Sequence, residues 1–449
     1  MACAKEGANG KAMGLITCKF GGSSLADAGC FRKAAAIIRA NPNRRFIVPS
    51  APGKRTDDDK KITDLLYAWH SLAKQGLDAS QPRDIIAARF AELAADLGIP
   101  FDVEQHIAHI AAAGEQHTEP DYLASRGEYL NGLLMAGFLG ATFVDPAECI
   151  FFDAEGLLDT RTYDALANRL SGDGLFVVPG FYGAMPDGRI RTFSRGGSDV
   201  TGAIVARASH SELYENWTDV SGFRMADPRV VPHARRIEQV TYRELRELSY
   251  MGAKVLHDEA IFPVRESGIP VNIRNTHDPD AAGTMIVASR ESTEPVCGIA
   301  ARKGFTMLTI EKALMNRELG FGRRVLMVLE EFGISFEHMP SSIDTVSVIV
   351  RDDQLGDHGP AVIKAIGRRC EPDRIDLTPG LALIATVGQG MAGHIGIAAK
   401  LMGALARAGV NIRVIDQGSS ENNIIVGVED TDMESAVRAI YEVFTDDKE

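Results

Sequence analysis

Short apolar runs closed by glycine turns, each leading into a stretch of helical spacing, recur through the first two thirds of the chain. Residues 15–20 (L-I-T-C-K-F) predict a strand, Gly21-Gly22-Ser23-Ser24 a turn, and 26–40 a helix. A second strand is predicted at 45–50, helices at 63–74, 83–97, 103–113 and 123–140, and strands at 141–144 and 174–179. This alternation predicts a three-layer α/β domain, in which glycine turns bring backbone amides to the ends of strands. A helix at 241–250 and strands at 270–274 and 283–288 close the domain.

The pattern changes at 290–295, a polar stretch with a proline that reads as a linker. Beyond it lies an internal repeat. Strands at 305–310, 334–339 and 345–350 with a helix at 320–332 are echoed by strands at 381–387, 410–415 and 423–428 with a helix at 393–408; a last helix spans 433–444. E-E-F-G-I-S-F-E-H-M-P-S-S in the first copy aligns with A-R-A-G-V-N-I-R-V-I-D-Q-G-S-S in the second. Each copy runs β-α-β-β-α, a ferredoxin-like unit.

A chain of 449 residues holds about two to four such domains. Its net charge of −13 argues against nucleic acid or an anionic membrane as partner, while leaving a small anionic substrate open. The six cysteines are scattered with no C-x-x-C pair, which suits a reducing compartment and argues against a disulfide framework or structural zinc. No apolar run approaches the roughly 20 residues that span a bilayer. Residues 1–14 lack the apolar core of a signal peptide and read as a flexible leader.

Candidate chemistry concentrates at S-R-G-G-S-D, where Arg195, Gly196, Gly197, Ser198 and Asp199 feed a helix of small residues. Cation, bare amides, hydroxyl and carboxylate there could hold a substrate carboxylate and a phosphate with its metal. Asp199 could equally be a plain N-cap. Lys19 ends the first strand just before its glycines, as a phosphate contact or as a snorkelling surface lysine. Neither a Walker loop nor a G-x-G-x-x-G fingerprint occurs. The charged segment 55–61 is a solvated loop or a mobile cover, and Glu128 lies on the outer face of its helix or is held inward for a ligand. A polar loop at 218–229 carries Thr218, Asp219, Asp227 and Arg229, for ligand binding or for turn chemistry.

Taken in order, K-F-G-G-S-S, S-R-G-G-S-D, W-T-D-V-S-G, M-A-D-P-R and G-A-K-V-L-H resemble the aspartate kinase family over about residues 15–444, and the tail pair resembles its ACT regulatory domains. The resemblance implies a carbamate kinase-like amino-acid kinase domain at 15–289. A linker and strand joining the second ACT unit at 290–303 and ACT domains at 304–378 and 379–449 would follow it. It implies phosphorylation of the L-aspartate side-chain carboxylate by ATP with Mg2+ to 4-phospho-L-aspartate. That is the first step of lysine, threonine and methionine biosynthesis, in the cytoplasm. By the same resemblance Lys19 stabilises the transferring phosphoryl group and Asp199 orients lysines or helps organise the metal, with no residue assigned as a dedicated metal ligand. Gly21, Gly22 and Ser23 would meet the phosphates, and Thr218, Asp219, Arg229 and Lys254 the nucleotide side. Arg195 would clamp the substrate α-carboxylate and Glu128 its ammonium, with Ser50, Phe181 and Ser198 alongside. Lysine or threonine as effector would meet Met315, Gly320, Gly322, Glu337 and Ser342 in a homodimer or homotetramer formed through the ACT domains. Arg224 and Asp258 depart from the family's usual residues near the adenine. A kinase for another acidic amino acid, or a non-catalytic amino-acid sensor, are the competing readings.

Overall fold

The run 16–20 is buried along its whole length because it lies in the middle of a sheet covered on both faces. The structure is a computed structural model, and it describes residues 14–114, 119–194, 196–252, 256, 258–291 and 294–445. The chain packs as two compact units. The first comprises Met1–Phe223, Glu238–Tyr242 and Val255–Arg290; the second comprises Arg224–Ile237, Arg243–Lys254 and Glu291–Glu449. The segment read as one domain, 15–289, thus gives two of its stretches to the second unit.

The strands of the first unit are β1 (Ile16–Phe20), β2 (Arg44–Pro49), β3 (Thr142–Phe143), β4 (Phe176–Val177), β5 (Tyr182–Ala184), β6 (Ile190–Thr192), β7 (Leu213–Thr218), β8 (Gln239–Thr241), β9 (Val271–Asn275) and β10 (Thr284–Val287). Eight of them form one sheet in the order β3-β4-β2-β1-β7-β9-β10-β8, with β5 and β6 a separate hairpin. All its pairings are parallel except β9 with β10. Helices on both faces make β1 and β2 near-continuous apolar runs, as buried parallel strands require. Cys18, Phe20, Ile47 and Trp217 pack with the helices Ile62–Lys74, Ser80–Leu97 and Asp121–Leu139. Phe46, Val48 and Val178 pack on the opposite side with Ile204 and Val205 of the helix Gly197–Ala208. The expected strands at 141–144 and 174–179 shrink to two residues each, and the β5–β6 hairpin and β8 were not anticipated.

In the second unit, β11 (Gly298–Glu311), β12 (Phe336–His338), β13 (Thr345–Arg351), β14 (Arg374–Val387), β15 (Val414–Asp416) and β16 (Asn423–Glu429) form an antiparallel sheet ordered β12-β13-β11-β14-β16-β15. The two central strands have 14 residues each and pair along their length. Residues 305–311 of β11 lie between β13 and the first half of β14, while 298–302 pair with 383–387, beside β16. The second repeat therefore takes residues 298–302 from ahead of the first, whose own strands follow one another between 305 and 378. The helix Tyr242–Tyr250 docks here through Glu247, which accepts from Asn423 at 2.7 Å, and Glu244, which accepts from the Gln389 N–H at 2.7 Å.

Candidate active site

At the C-terminal end of β1, Lys19 is only 8% exposed, and its Nζ lies 2.6 Å from Asp199 Oδ1. Parallel pairing sets Lys19 level with Val48 on one side and Asn216 on the other. The Asn216 side-chain amide donates to the same Asp199 oxygen at 2.8 Å, and the Tyr214 hydroxyl donates to the Asp199 carbonyl at 3.2 Å. Asp199 is not the N-cap of its helix. Gly196 caps it in the left-handed region, φ 55, and Asp199 sits in the first turn with its carboxylate directed at Lys19. The surface-lysine reading of Lys19 fails for the same reason: the ammonium is held inside by a carboxylate.

Two turns stack over this pair. Gly21 N–H donates to Trp217 O, Ser50 N–H to Phe20 O and Gly53 N–H to Gly22 O, so the turns after β1 and β2 are joined backbone to backbone. A methyl group on Gly53 would come within 2.6 Å of the Gly22 carbonyl, so glycine is required there. Buried Arg89 ties the arrangement down by donating to Ala26 O at 2.7 Å, Gly53 O at 2.9 Å and the Asp59 carboxylate. Asp59 also accepts from Arg55. The charged segment 55–61 is thus anchored through Asp59 to the glycine turns rather than being a loose solvated loop. Ser23 is exposed at the mouth, whereas Ser24 is buried against Thr276.

Glu128 faces inward, resolving the alternative left open by its helix pattern. It is 6% exposed, and among the described residues its Oε2 has no hydrogen-bond partner. Burial pushes its carboxyl up to about 7, against the pull of the Ala51 N–H and of the Arg126 and Lys19 charges. One turn further on, Asn131 Nδ2 donates to Ser50 O at 2.6 Å. Residues 128 and 131 therefore grip the two ends of a single peptide group, Ser50–Ala51. Arg126 stacks on the rings of Tyr122, Tyr129 and Tyr182 at 4.6–5.0 Å, which keeps this cation off Glu128.

Phe181 adopts φ 85, a left-handed conformation that a bulky side chain holds only at a cost. Its N–H donates to Thr201 Oγ1 at 3.0 Å, and its ring lies against Gly197, where a methyl group would approach to 2.4 Å. Ser198 is buried against Gly180 in the same contact. Lys19, the glycine turns, Ser50, Glu128, Phe181, Ser198 and Asp199 all belong to the first unit. Arg195 and Lys254, as well as residues 1–13 of the expected leader, lie outside the described residues. Thr218 ends β7 and donates to Asp219 at 3.1 Å. Arg229 belongs to the second unit, 88% exposed and paired with Asp227 at 2.6 Å. Arg224 is also in that unit, donating to Ala234 O.

Of the expected effector residues, Gly320 caps the helix Phe321–Glu331 at φ 75, Met315 is buried beneath it, and Gly322 faces Met339. Ser342 is exposed, its N–H donating to Thr345 O. Glu337 accepts from the Tyr250 hydroxyl at 2.6 Å, and the Asp344 carboxylate accepts from the Leu314 N–H at 2.8 Å.

Sequence reasoning passed over Asn216, Asn131, Arg89 and Gly53. The period-two pattern of L-Y-E-N-W-T carried a signal for the first: Tyr214, Asn216 and Thr218 share a face, and an amide within a buried strand needs a partner.

Profiles of known families match most of the chain. The amino acid kinase family matches residues 14–275, and an ACT domain matches 384–444. Aspartokinase 3 of Bacillus subtilis is 39% identical over 95% of this chain and 98% of its own length. The lysine-sensitive aspartokinase 3 of Escherichia coli is 30% identical over 95% of the chain and 98% of its own. Among solved structures, the aspartate kinase of Clostridium acetobutylicum superposes with a TM-score of 0.91 at 48% identity, covering 96% of this chain and all of that one. E. coli aspartokinase III in complex with lysine and aspartate superposes at 0.78 and 28% identity, covering 96% of this chain and 99% of that one. The same enzyme has also been solved with aspartate and ADP.

Proposed function

The chain belongs to the amino acid kinase family, and within it to the aspartokinases, and from that premise we propose how its residues divide the work. The reaction is phosphorylation of the aspartate side-chain carboxylate by ATP, under regulation by ACT domains. The acceptor oxygen is already an anion, so the site has no need of a general base. The attacking carboxylate oxygen forms a bond to the γ-phosphorus as the bond to the β-phosphate oxygen breaks, leaving an acyl phosphate and ADP. What limits such a step is the mutual repulsion of carboxylate and triphosphate, which cations and amides held in line relieve.

Lys19 is the cation for the transferring phosphoryl group, with Asp199 fixing its ammonium, and the Gly22 amide with Ser23 meets phosphate oxygens beside Gly21, whose own N–H is taken by Trp217 O. Glu128 receives the substrate ammonium, Arg195 its α-carboxylate, and Ser50, Phe181 and Ser198 line the remainder. Thr218, Asp219, Arg229 and Lys254 serve the nucleotide. Among the described residues no cluster of three or more His, Cys, Asp or Glu could hold a metal alone. These residues fit Mg2+ arriving on the ATP phosphates and needing only one or two carboxylates, for which Asp219 is the acid at hand, the Asp199 carboxylate being engaged by Lys19 and Asn216. The ACT repeats read lysine, as the name of the E. coli relative suggests, through Met315, Gly320, Gly322, Glu337 and Ser342. The boundaries 15–289, 304–378 and 379–449, assembly through the ACT domains and a cytoplasmic location belong to the same reading; among the described residues no helix is long and apolar enough to cross a membrane.

The observation that carries the substrate assignment is Glu128: a buried acid with an unpartnered oxygen is costly unless a cation completes it. ATP turnover coupled to ADP detection, with aspartate, glutamate and N-acetylaspartate, each with and without lysine or threonine, tests it. Turnover with aspartate alone, suppressed by lysine, is expected. Equal turnover of N-acetylaspartate would overturn the role of Glu128.

A further inference from the structure

Lys19 and Asn216 are register partners on adjacent parallel strands, so their side chains rise from the same face of the sheet side by side. Both end on one atom, Asp199 Oδ1, at 2.6 Å and 2.8 Å. Asn216 is 3% exposed. Its register partner on the other side, Ile273, is buried and apolar, so among the described residues the charged and titratable groups facing it are Lys19 on β1, Asp199 on the helix, and Tyr214 two residues back on its own strand. An amide in such a place is a donor that cannot itself gain or lose a proton.

We propose that Asn216 is a positioning residue for phosphoryl transfer: its amide locks the Asp199 carboxylate in the one rotation that aims the Lys19 ammonium at the end of β1. A carboxylate held by Lys19 alone can swing with the lysine's flexible stem. Two donors converging on one oxygen from neighbouring strands fix both the distance and the plane, and the Tyr214 hydroxyl on the Asp199 carbonyl fixes the backbone beneath. Asn216 touches neither substrate nor the reacting atoms. It acts through Asp199, and the inference rests on the aspartokinase reading of Lys19 given above.

The test uses the full chain and measures kcat at saturating aspartate and ATP from pH 6 to pH 9. Asn216→Leu, close in volume but without the amide, is expected to lower kcat ~10- to 100-fold at every pH, with KM for aspartate and ATP within about twofold of the unaltered protein. Asn216→Asp sets two carboxylates face to face, so one of them holds a proton at higher pH than an ordinary acid. While that proton is present, its O–H donates to Asp199 as the amide did. The Asn216→Asp protein should therefore recover kcat as pH falls and lose it as pH rises, a limb the unaltered protein lacks. A merely structural role would lower thermal stability and active fraction without creating that limb. If Asn216→Leu fails to fold, the Asn216→Asp profile decides alone. Unchanged kcat in Asn216→Leu, or an Asn216→Asp profile parallel to the unaltered one, overturns the inference. Absence of aspartate-dependent turnover in the unaltered protein, run beside them, overturns the aspartokinase reading and the inference with it.

Discussion

Among the described residues two glutamates are buried in the first unit, and the protein treats them in opposite ways. Glu215, 2% exposed on β7, accepts from Arg44 through two nitrogens at 2.8 and 3.0 Å, from Trp217 at 3.0 Å and from Arg274 at 3.3 Å. Both arginines also stack on the Trp217 ring. Glu128 is nearly as deep, yet has one oxygen without a partner, while the nearby Arg126 is diverted onto three tyrosine rings. Both acids lose hydration. At Glu215 fixed cations replace it, and at Glu128 no cation among the described residues does. Burial alone does not mark a functional acid; burial without a partner does.

Removing Glu215 tests this contrast most severely. Glu215→Leu leaves the buried Arg44 and the partly buried Arg274 facing no carboxylate, and unfolding in urea should reveal a loss of about 3–5 kcal/mol, with KM for aspartate unchanged in the protein that remains folded. Glu128→Gln should do the reverse, raising KM for aspartate ~100-fold while stabilising the fold. The sign follows from the raised carboxyl, about 7 when folded against the ordinary 4.5. A group of this kind contributes its stability fully below 4.5 and loses it as pH climbs through 7. Thermal melts should therefore place the Gln variant ahead by about 3 kcal/mol at pH 8 and level with the unaltered protein near pH 4.5.

In the unaltered protein, kcat/KM for aspartate should fall about tenfold per pH unit once pH drops below 7, because a protonated Glu128 no longer attracts an ammonium. A profile flat from pH 8 to pH 5.5 would mean that Glu128 stays ionised and that the contrast with Glu215 is overdrawn. The smallest effect is expected for Arg44→Lys, which keeps the charge but loses the two-nitrogen grip on Glu215. About 1 kcal/mol of stability should go, and steady-state kinetics should be unmoved.

Apolar runs and glycine turns made the central parallel strands legible, since β1 and β2 are buried along nearly their whole length and their polar residues, Thr17, Lys19, Arg44 and Arg45, leave the apolar run readable. The short strands β5, β6 and β8 left no such trace, being held by their neighbours rather than by their own pattern. Lys19 and Asp199 were readable as a pair only through family resemblance, because they stand 180 positions apart, on a strand and in the first turn of a helix that only the fold brings together. Asn216 and Arg89 escaped notice for a related reason: each serves another residue's geometry, and neither carries a motif of its own. The left-handed Phe181 was visible as a position but not as strain, which arises from the close contact with Gly197 across the site.

The long strands shared by the two regulatory repeats impose a timetable on synthesis. Residues 298–302 emerge from the ribosome well before 383–387, the stretch they pair with, a wait on the order of ten seconds at ordinary translation rates. Until then residues 298–302 wait without the strand they pair with, and such an open edge invites pairing with the wrong chain. A nonsense codon just after residue 380 would therefore strip 298–302 of its partner while sparing the strands of the first repeat, and a gene fusion or duplication could move the second repeat only together with the first.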